Sequence, residues 1–186
     1  VRYIQERLLY RVAHSEYRSN FLLKGGALLY AFNQEKARPT KDIDFLGTHI
    51  NNDGEYMKSI FARIVAVPCD EDGILFDSDS IEVEDITQDN EYHGIRLTIK
   101  AFLDSVRQSI SVDIGFDDIV TPSPQDLEYP LLLENIPSMS ILAYSLETVV
   151  AEKLEAMVSL SVNNSRMKDF FDVYKILNGG TLDADV

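Results

Sequence analysis

Two aspartates stand one residue apart in the run Asp42-Ile43-Asp44-Phe45-Leu46. In an extended strand alternate side chains point to opposite faces, so both acids share one face while Ile43 and Phe45 take the other. Carboxylates placed side by side repel one another unless a cation lies between them. Hard oxygen donors of this kind suit Mg²⁺ or Mn²⁺. A third acid, Asp113, falls in a stretch where Ile110, Val112, Ile114 and Phe116 alternate with Ser111, Asp113 and Gly115. That phase turns Asp113 away from the apolar side, where a neighbouring strand can deliver it beside the first pair. Upstream, Gly25-Gly26 separates the apolar strand-like run Phe21-Leu22-Leu23 from a helical run, Ala27 to Phe32. Glycines at a helix start leave backbone N–H groups open to a phosphate. A metal-binding pair and a phosphate cradle on adjoining strands are what a phosphoryl or nucleotidyl transfer site requires.

The remaining elements must position these groups. Residues 1–17 have the spacing of an amphipathic helix, with Ile4, Leu8 and Val12 on one stripe, Leu9 beside it and charges opposite. A basic loop from Lys36 to Lys41 leads into the aspartates. A helix is expected over 55–67 on the stripe Met57, Ile60, Phe61 and Ile64, ended by Pro68. The acidic stretch from Asp70 to Asp79 is expected to be a loop, without the ligand spacing of an EF-hand. Period-two patterns then predict three successive antiparallel strands, over 81–86, 95–101 and 110–116. Residues 120–137, with four prolines, are expected to form an irregular crossing, followed by a short strand at 141–144. Ser145 is placed to cap a helix over 146–160, with Val150, Leu154 and Met157 as its stripe. Lys153 lies inside that apolar helix, where it either snorkels to solvent or faces an anion. The last helix, 166–177, is expected to bury Phe170, Val173, Tyr174 and Leu177. Its Asp169 and Asp172 share a face, and Lys168 is spaced to pair with Asp172 at the surface.

The elements predict an α+β protein: a small mixed β-sheet flanked by helices, with a C-terminal helical segment. Residues 1–130 are expected to form the α/β core and 131–186 the helical segment packing on it. A chain of 186 residues, 45% hydrophobic, is long enough for a core. Its one cysteine, Cys69, excludes an internal disulfide and points to the cytoplasm. No apolar run approaches the ~20 residues a membrane span needs, and no signal-peptide pattern is present. The net charge of −14 argues against broad, nonspecific nucleic-acid binding. Two local basic clusters remain available for an anionic partner: Lys24, Lys36, Arg38 and Lys41, and Arg166, Lys168 and Lys175.

Five stretches in order, KGGALLYAF, RPTKDIDFL, VDIGF, YSLETVVAEKLEAM and SRMKDFFDVYKI, resemble the AbiEii-type nucleotidyltransferase toxins of the DNA polymerase β-like superfamily. The resemblance runs from about Phe21 to Leu177. It implies a toxin of a bacterial toxin–antitoxin or abortive-infection system that moves a nucleotidyl group from an NTP with Mg²⁺ or Mn²⁺ to an acceptor. A tRNA 3′ end is the favoured acceptor and a protein the alternative, with a cognate antitoxin as partner. By the same resemblance, Asp42 and Asp44 bind the metal, and Asp113 is the third carboxylate, a metal ligand or general base. Gly25, Gly26, Arg38, Thr40, Arg166 and Lys168 surround the nucleotide, Lys153 contacts its phosphates, and Asp169 completes the catalytic set. The chain departs from the superfamily at Ala27, where a hydroxyl residue is common, and this removes one phosphate contact. A nucleotide-binding or regulatory module of the same fold is therefore a rival reading. A phosphatase with an aspartyl nucleophile fits less well, because Asp42 follows Arg38-Pro39-Thr40-Lys41 and not an unbroken apolar strand.

Overall fold

The computed structural model describes residues 1–34, 37–88, 92–116, 119–160 and 167–179. It forms two compact units, one of residues 1–118 with 126–143, the other of 119–125 with 144–186. In chain order the elements are α1 (Arg2–Ala13), β1 (Phe21–Lys24), α2 (Gly25–Asn33), β2 (Asp42–Gly47), α3 (Gly54–Val65), β3 (Ile74–Gln88), β4 (Tyr92–Leu103), β5 (Val106–Phe116), β6 (Gln125–Glu128), β7 (Ser140–Ala143), α4 (Leu146–Leu160) and α5 (Met167–Asn178).

Seven strands make one mixed sheet in the order β3-β4-β5-β2-β1-β7-β6. The long strands β3, β4 and β5 pair antiparallel, as their alternation predicts. Strand β2 then joins β5 in parallel and β1 antiparallel, and β1 joins β7 in parallel. One face of the central strands carries the core. Leu23, Ile43, Phe45, Leu97, Val112 and Ile114 are buried there. Phe21 meets Phe45 and Phe61 with ring centroids 5.7 and 5.3 Å apart. Offset aromatic contacts of this kind add to what area burial alone contributes. Helix α3 starts where the Asp53 carboxylate accepts the Tyr56 N–H at 2.8 Å, which satisfies one open donor of its first turn.

Several expectations are corrected. The acidic stretch 70–79 is not a loop throughout: β3 begins at Ile74, and the sheet register shifts between Asp77 and Glu82. Pairing with β4 supplies the backbone partners that keep this acidic segment extended. The crossing segment 120–137 contains the short strand β6. Helix α1 is not half-solvated, since Gln5, Glu6, Arg7 and Arg11 are buried together with its apolar stripe. Distant groups balance them. Arg11 pairs with the buried Asp72 at 2.7 Å and donates to the carbonyl of Ile74, while Glu6 accepts the Leu132 N–H at 2.8 Å. Burial raises the Glu6 pKa above the ordinary carboxylate value.

The second unit is helical. The Ser145 hydroxyl accepts the Thr148 N–H at the start of α4, the cap that the sequence predicts. Helices α4 and α5 pack on each other. The buried stripe of α5 is Asp169, Asp172, Val173 and Ile176, whereas Phe170, Tyr174 and Leu177 are exposed. The expected apolar stripe is thus wrong by most of its residues, and the reason lies on α4. There the Lys153 ammonium lies 2.8 Å from Asp169 and 2.9 Å from Asp172. A lysine with so little of its side chain exposed is stabilised by nearby carboxylates, and that pairing sets which face of α5 turns inward.

Candidate active site

The acids converge through sheet register. Asp44 on β2 pairs with Asp113 on the parallel strand β5. On its other side Asp44 pairs with Lys24 of β1. Asp113 in turn pairs with Arg96 of β4, and Arg96 with Glu84 of β3. Registered neighbours share a face, so Lys24, Asp44, Asp113, Arg96 and Glu84 form one row across five strands. Asp42 stands on the same face two residues before Asp44. Opposite that row lie the buried Leu23, Phe45, Ile114 and Leu97, which fix the phase of each strand.

Asp44 is half-buried, and its pKa is raised. Burial is the largest cause, followed by the adjacent Asp113 charge, with Asp42 adding to it. A hydrogen bond from the Gly26 N–H and the charge of Lys24 oppose the rise. A carboxylate held against two others, only partly relieved by one ammonium, is a group that gains from a divalent cation. Asp42 and Asp44 therefore fit the donor set expected for Mg²⁺ or Mn²⁺. Among the described residues, however, no three carboxylate, imidazole or thiol groups are gathered as a ready-made metal cage. Asp113 is engaged elsewhere: Arg96 donates to both its oxygens, each at 2.7 Å. This bidentate bond is the first cause of the raised Arg96 pKa.

The glycine pair has a tighter structural reason than a phosphate. Gly25 adopts φ +65°, the left-handed region, and a Cβ there would lie 2.0 Å from Oδ2 of Asp44. A Cβ on Gly26 would lie 2.8 Å from Cβ of Thr40. The Gly26 N–H at the start of α2, expected to be bare, is taken by Asp44. The helix start thus holds the Asp44 carboxylate itself, the same preference for negative charge that a phosphate would use. Thr40 donates its hydroxyl to the carbonyl of Asp42 at 3.3 Å, and Arg38 is half-buried in the same loop. Ala27 is buried in α2.

Gly25, Gly26, Arg38, Thr40, Asp42, Asp44 and Asp113 accordingly belong to the sheet unit, where Gly25, Gly26, Asp42 and Asp113 are linked by contact, charge or register to Asp44 and Thr40 to Asp42. Lys153, Lys168 and Asp169 belong to the helical unit. Lys153 there joins Asp169 and also Asp172, a partner expected only at the surface, while Lys168 is exposed. Arg166 and Lys36 lie outside the described residues. Sequence reasoning missed Arg96 and Glu84. The signal was present: a two-residue turn at Asp104-Ser105 fixes every β4–β5 partner, Arg96 opposite Asp113 included.

A mixed sheet with acids on one face of its central strands, flanked by helices, is the α+β fold of nucleotidyltransferases. Two solved structures share it: a protein described as a candidate nucleotidyltransferase from H. pylori, and JHP933 from Helicobacter pylori. Each is 16% identical over 96% of this chain, with a TM-score of 0.56. The chain covers 66% and 67% of them, about two thirds of their length. No curated protein matches the chain. Residues 7–186 match the family described as nucleotidyl transferase AbiEii toxin, type IV TA system, and the chain belongs to that family. Among the described residues no helix is long and apolar enough to cross a membrane.

Proposed function

We propose that this protein transfers a nucleotidyl group from an NTP to an acceptor hydroxyl, the tRNA 3′ end being the favoured acceptor. The observation that carries the reading is the registered placement of Asp44 beside Asp113 in a member of this family, with Asp42 on the same face. Asp42 and Asp44 would hold Mg²⁺ or Mn²⁺. A divalent ion held there would supply positive charge to offset the negative charge that grows on the leaving pyrophosphate. The Gly26 N–H orients Asp44 for that task, and Thr40 braces the backbone of Asp42. Gly25 keeps the approach to Asp44 free of a side chain. Arg38 is proposed to meet the nucleotide from the loop before β2, and Asp113 is the third acid of the face.

The helical unit is assigned to the same reaction on the family pattern. There Lys153 is the proposed phosphate contact, and on the same family pattern Arg166 and Lys168 are proposed to bind the nucleotide. Asp169, bonded to Lys153, is the alternative to Asp113 for accepting the proton of the attacking hydroxyl. An acidic chain does not bind RNA broadly, so recognition of a tRNA end would rest on the two local basic clusters. A cytoplasmic setting and a cognate antitoxin complete the proposal.

Radiolabelled NTPs, Mg²⁺ and total tRNA, with and without the Asp44→Asn variant, test it. Label on the tRNA 3′ end with the wild type alone is the expected result. Label on protein points to a protein acceptor, and label on neither overturns the transferase reading in favour of a nucleotide-binding module. That second reading draws on Ala27, buried where a phosphate-contacting hydroxyl is common in the superfamily. Calorimetry of ATP and GTP with Mg²⁺ detects such a module.

A further inference from the structure

We infer that Arg96 is a positioning residue that stands in for a second cation, tying up Asp113 so that the acidic face holds one divalent ion, on Asp42 and Asp44. The inference rests on the metal-site reading above. Four observations support it. Arg96 donates through Nε and Nη2 to the two oxygens of Asp113, both at 2.7 Å, the geometry of a full fork-to-carboxylate pair. The pair sits within the row itself, so the guanidinium charge lies one strand beyond Asp113 and two beyond Asp44. Glu84 flanks Arg96 on the far side, and the chain thereby places the cation between two acids. The Arg96 side chain is 41% exposed and that of Asp113 23%, so neither is locked in an apolar core that would demand the pair for folding alone.

The row then reads as a sequence of charges with one vacancy of sign. Lys24 faces Asp44, Arg96 faces Asp113, and the surplus negative charge left near β2 is that of Asp42. A single divalent ion meets that surplus. A second ion on Asp113 would have to displace a planar, permanently charged partner from both oxygens and lie close to its positive charge. This is why three acids on one face do not form a cage of three ligands.

Mn²⁺ binding to the full-length protein without nucleotide tests the inference without any turnover. Equilibrium binding and electron paramagnetic resonance should show one Mn²⁺ per wild-type chain, with the signal of an isolated ion. Arg96→Gln should release Asp113, raise Mn²⁺ affinity by roughly tenfold as one nearby positive charge is lost, and admit a second ion with a spin-coupled signal. Arg96→Lys, which keeps the charge, should stay at one ion. The charge-neutral double variant Arg96→Gln with Asp113→Asn, once melting curves show it folded, should bind one Mn²⁺ within about threefold of wild type, because Asp113 is not a ligand of that ion; a purely structural role for the pair does not predict the second ion in Arg96→Gln. Two ions in the wild type, or unchanged binding by Arg96→Gln, overturns the inference and leaves the transferase reading intact. A tenfold or greater loss in the double variant overturns it too, since Asp113 would then be a ligand. No Mn²⁺ on any of the proteins overturns both.

Discussion

Asp44→Asn should make the metal-free protein more stable while removing its response to Mg²⁺. The side chain is half-buried between Asp113 and Asp42, and its pKa is raised, chiefly by burial and next by Asp113. An amide of the same shape still accepts the Gly26 N–H. It gives up the attraction of Lys24 but ends the repulsion from two carboxylates. Relief of an unfavourable charge of this kind is worth about 0.5–2 kcal/mol. For a chain of this size that is a rise of about 1–8 °C in melting temperature. The pH dependence has a definite sign. Below the ordinary value of 3.8 the carboxyl is protonated in folded and unfolded chains alike and costs nothing. As pH rises through 3.8 the unfolded chain releases its proton while the folded chain keeps it, so folding stability falls. The loss is complete once the folded group has ionised as well, and the amide variant lacks this slope. Calorimetric melts across that window, and at neutral pH with Mg²⁺, measure both effects. Mg²⁺ at a hundredfold excess over its Kd should stabilise the wild type by about 2.7 kcal/mol and the variant hardly at all. A variant that melts below the wild type without metal, or that gains equally from Mg²⁺, would show Asp44 to be a structural acid and refute the argument.

Three further substitutions probe the frame around that site. Gly25→Ala should cost at least about 1–2 kcal/mol for its left-handed backbone alone, and the new Cβ must push Asp44 aside, so urea melts and Mn²⁺ affinity should fall together. Lys153→Met should destabilise the helical unit by about 3–5 kcal/mol, because Asp169 and Asp172 remain buried without their shared cation; adding Asp169→Asn and Asp172→Asn should restore most of that loss in the same urea titration. Asp72→Ala should cost a similar ~3–5 kcal/mol by leaving Arg11 buried against Phe76 without its carboxylate, and a variant that melts as the wild type does would mean water replaces the pair.

What could be read from the sequence was what depends on short-range periodicity. The alternation of Ile110, Val112 and Ile114 with Asp113 shows which way Asp113 faces, and Ile43 and Phe45 do the same for Asp42 and Asp44. The Gly25-Gly26 turn and the Ser145 cap are equally local signals. What stayed hidden depended on partners far along the chain. Arg11 is buried because Asp72 and the carbonyl of Ile74 reach it from sixty residues away. The inward face of α5 was misassigned because the largest apolar residues were given priority. Yet Asp169, Asp172, Val173 and Ile176 follow the i, i+3, i+4, i+7 spacing of a helical stripe just as well, and Lys153 on α4 decides between the two. The role of the glycines was half legible: a phosphate was expected at the glycine pair, and the group that lies against Gly25 is the Asp44 carboxylate.

The charged row shows how little of the site is specified by its own residues. Each member sits on a different strand, and no two are closer in sequence than the 12 residues between Glu84 and Arg96. Their meeting is enforced from the opposite face, where Leu23, Phe45, Leu97 and Ile114 are buried and tolerate no change of phase. A one-residue slip of β2 against β5 would bring Ile43 or Phe45 beside Asp113 and turn Asp44 into the core. The cost of burying that carboxylate without a partner far exceeds any gain in strand pairing. The same apolar contacts that hold the sheet together therefore set the spacing of the acids. A substitution that loosens the core, such as Phe45→Ala, should weaken Mn²⁺ binding without touching a ligand, whereas a surface change on β3 such as Glu82→Gln should not. Equal Mn²⁺ affinity in both variants would mean that the acids hold their positions independently of the sheet, and the register argument would fail.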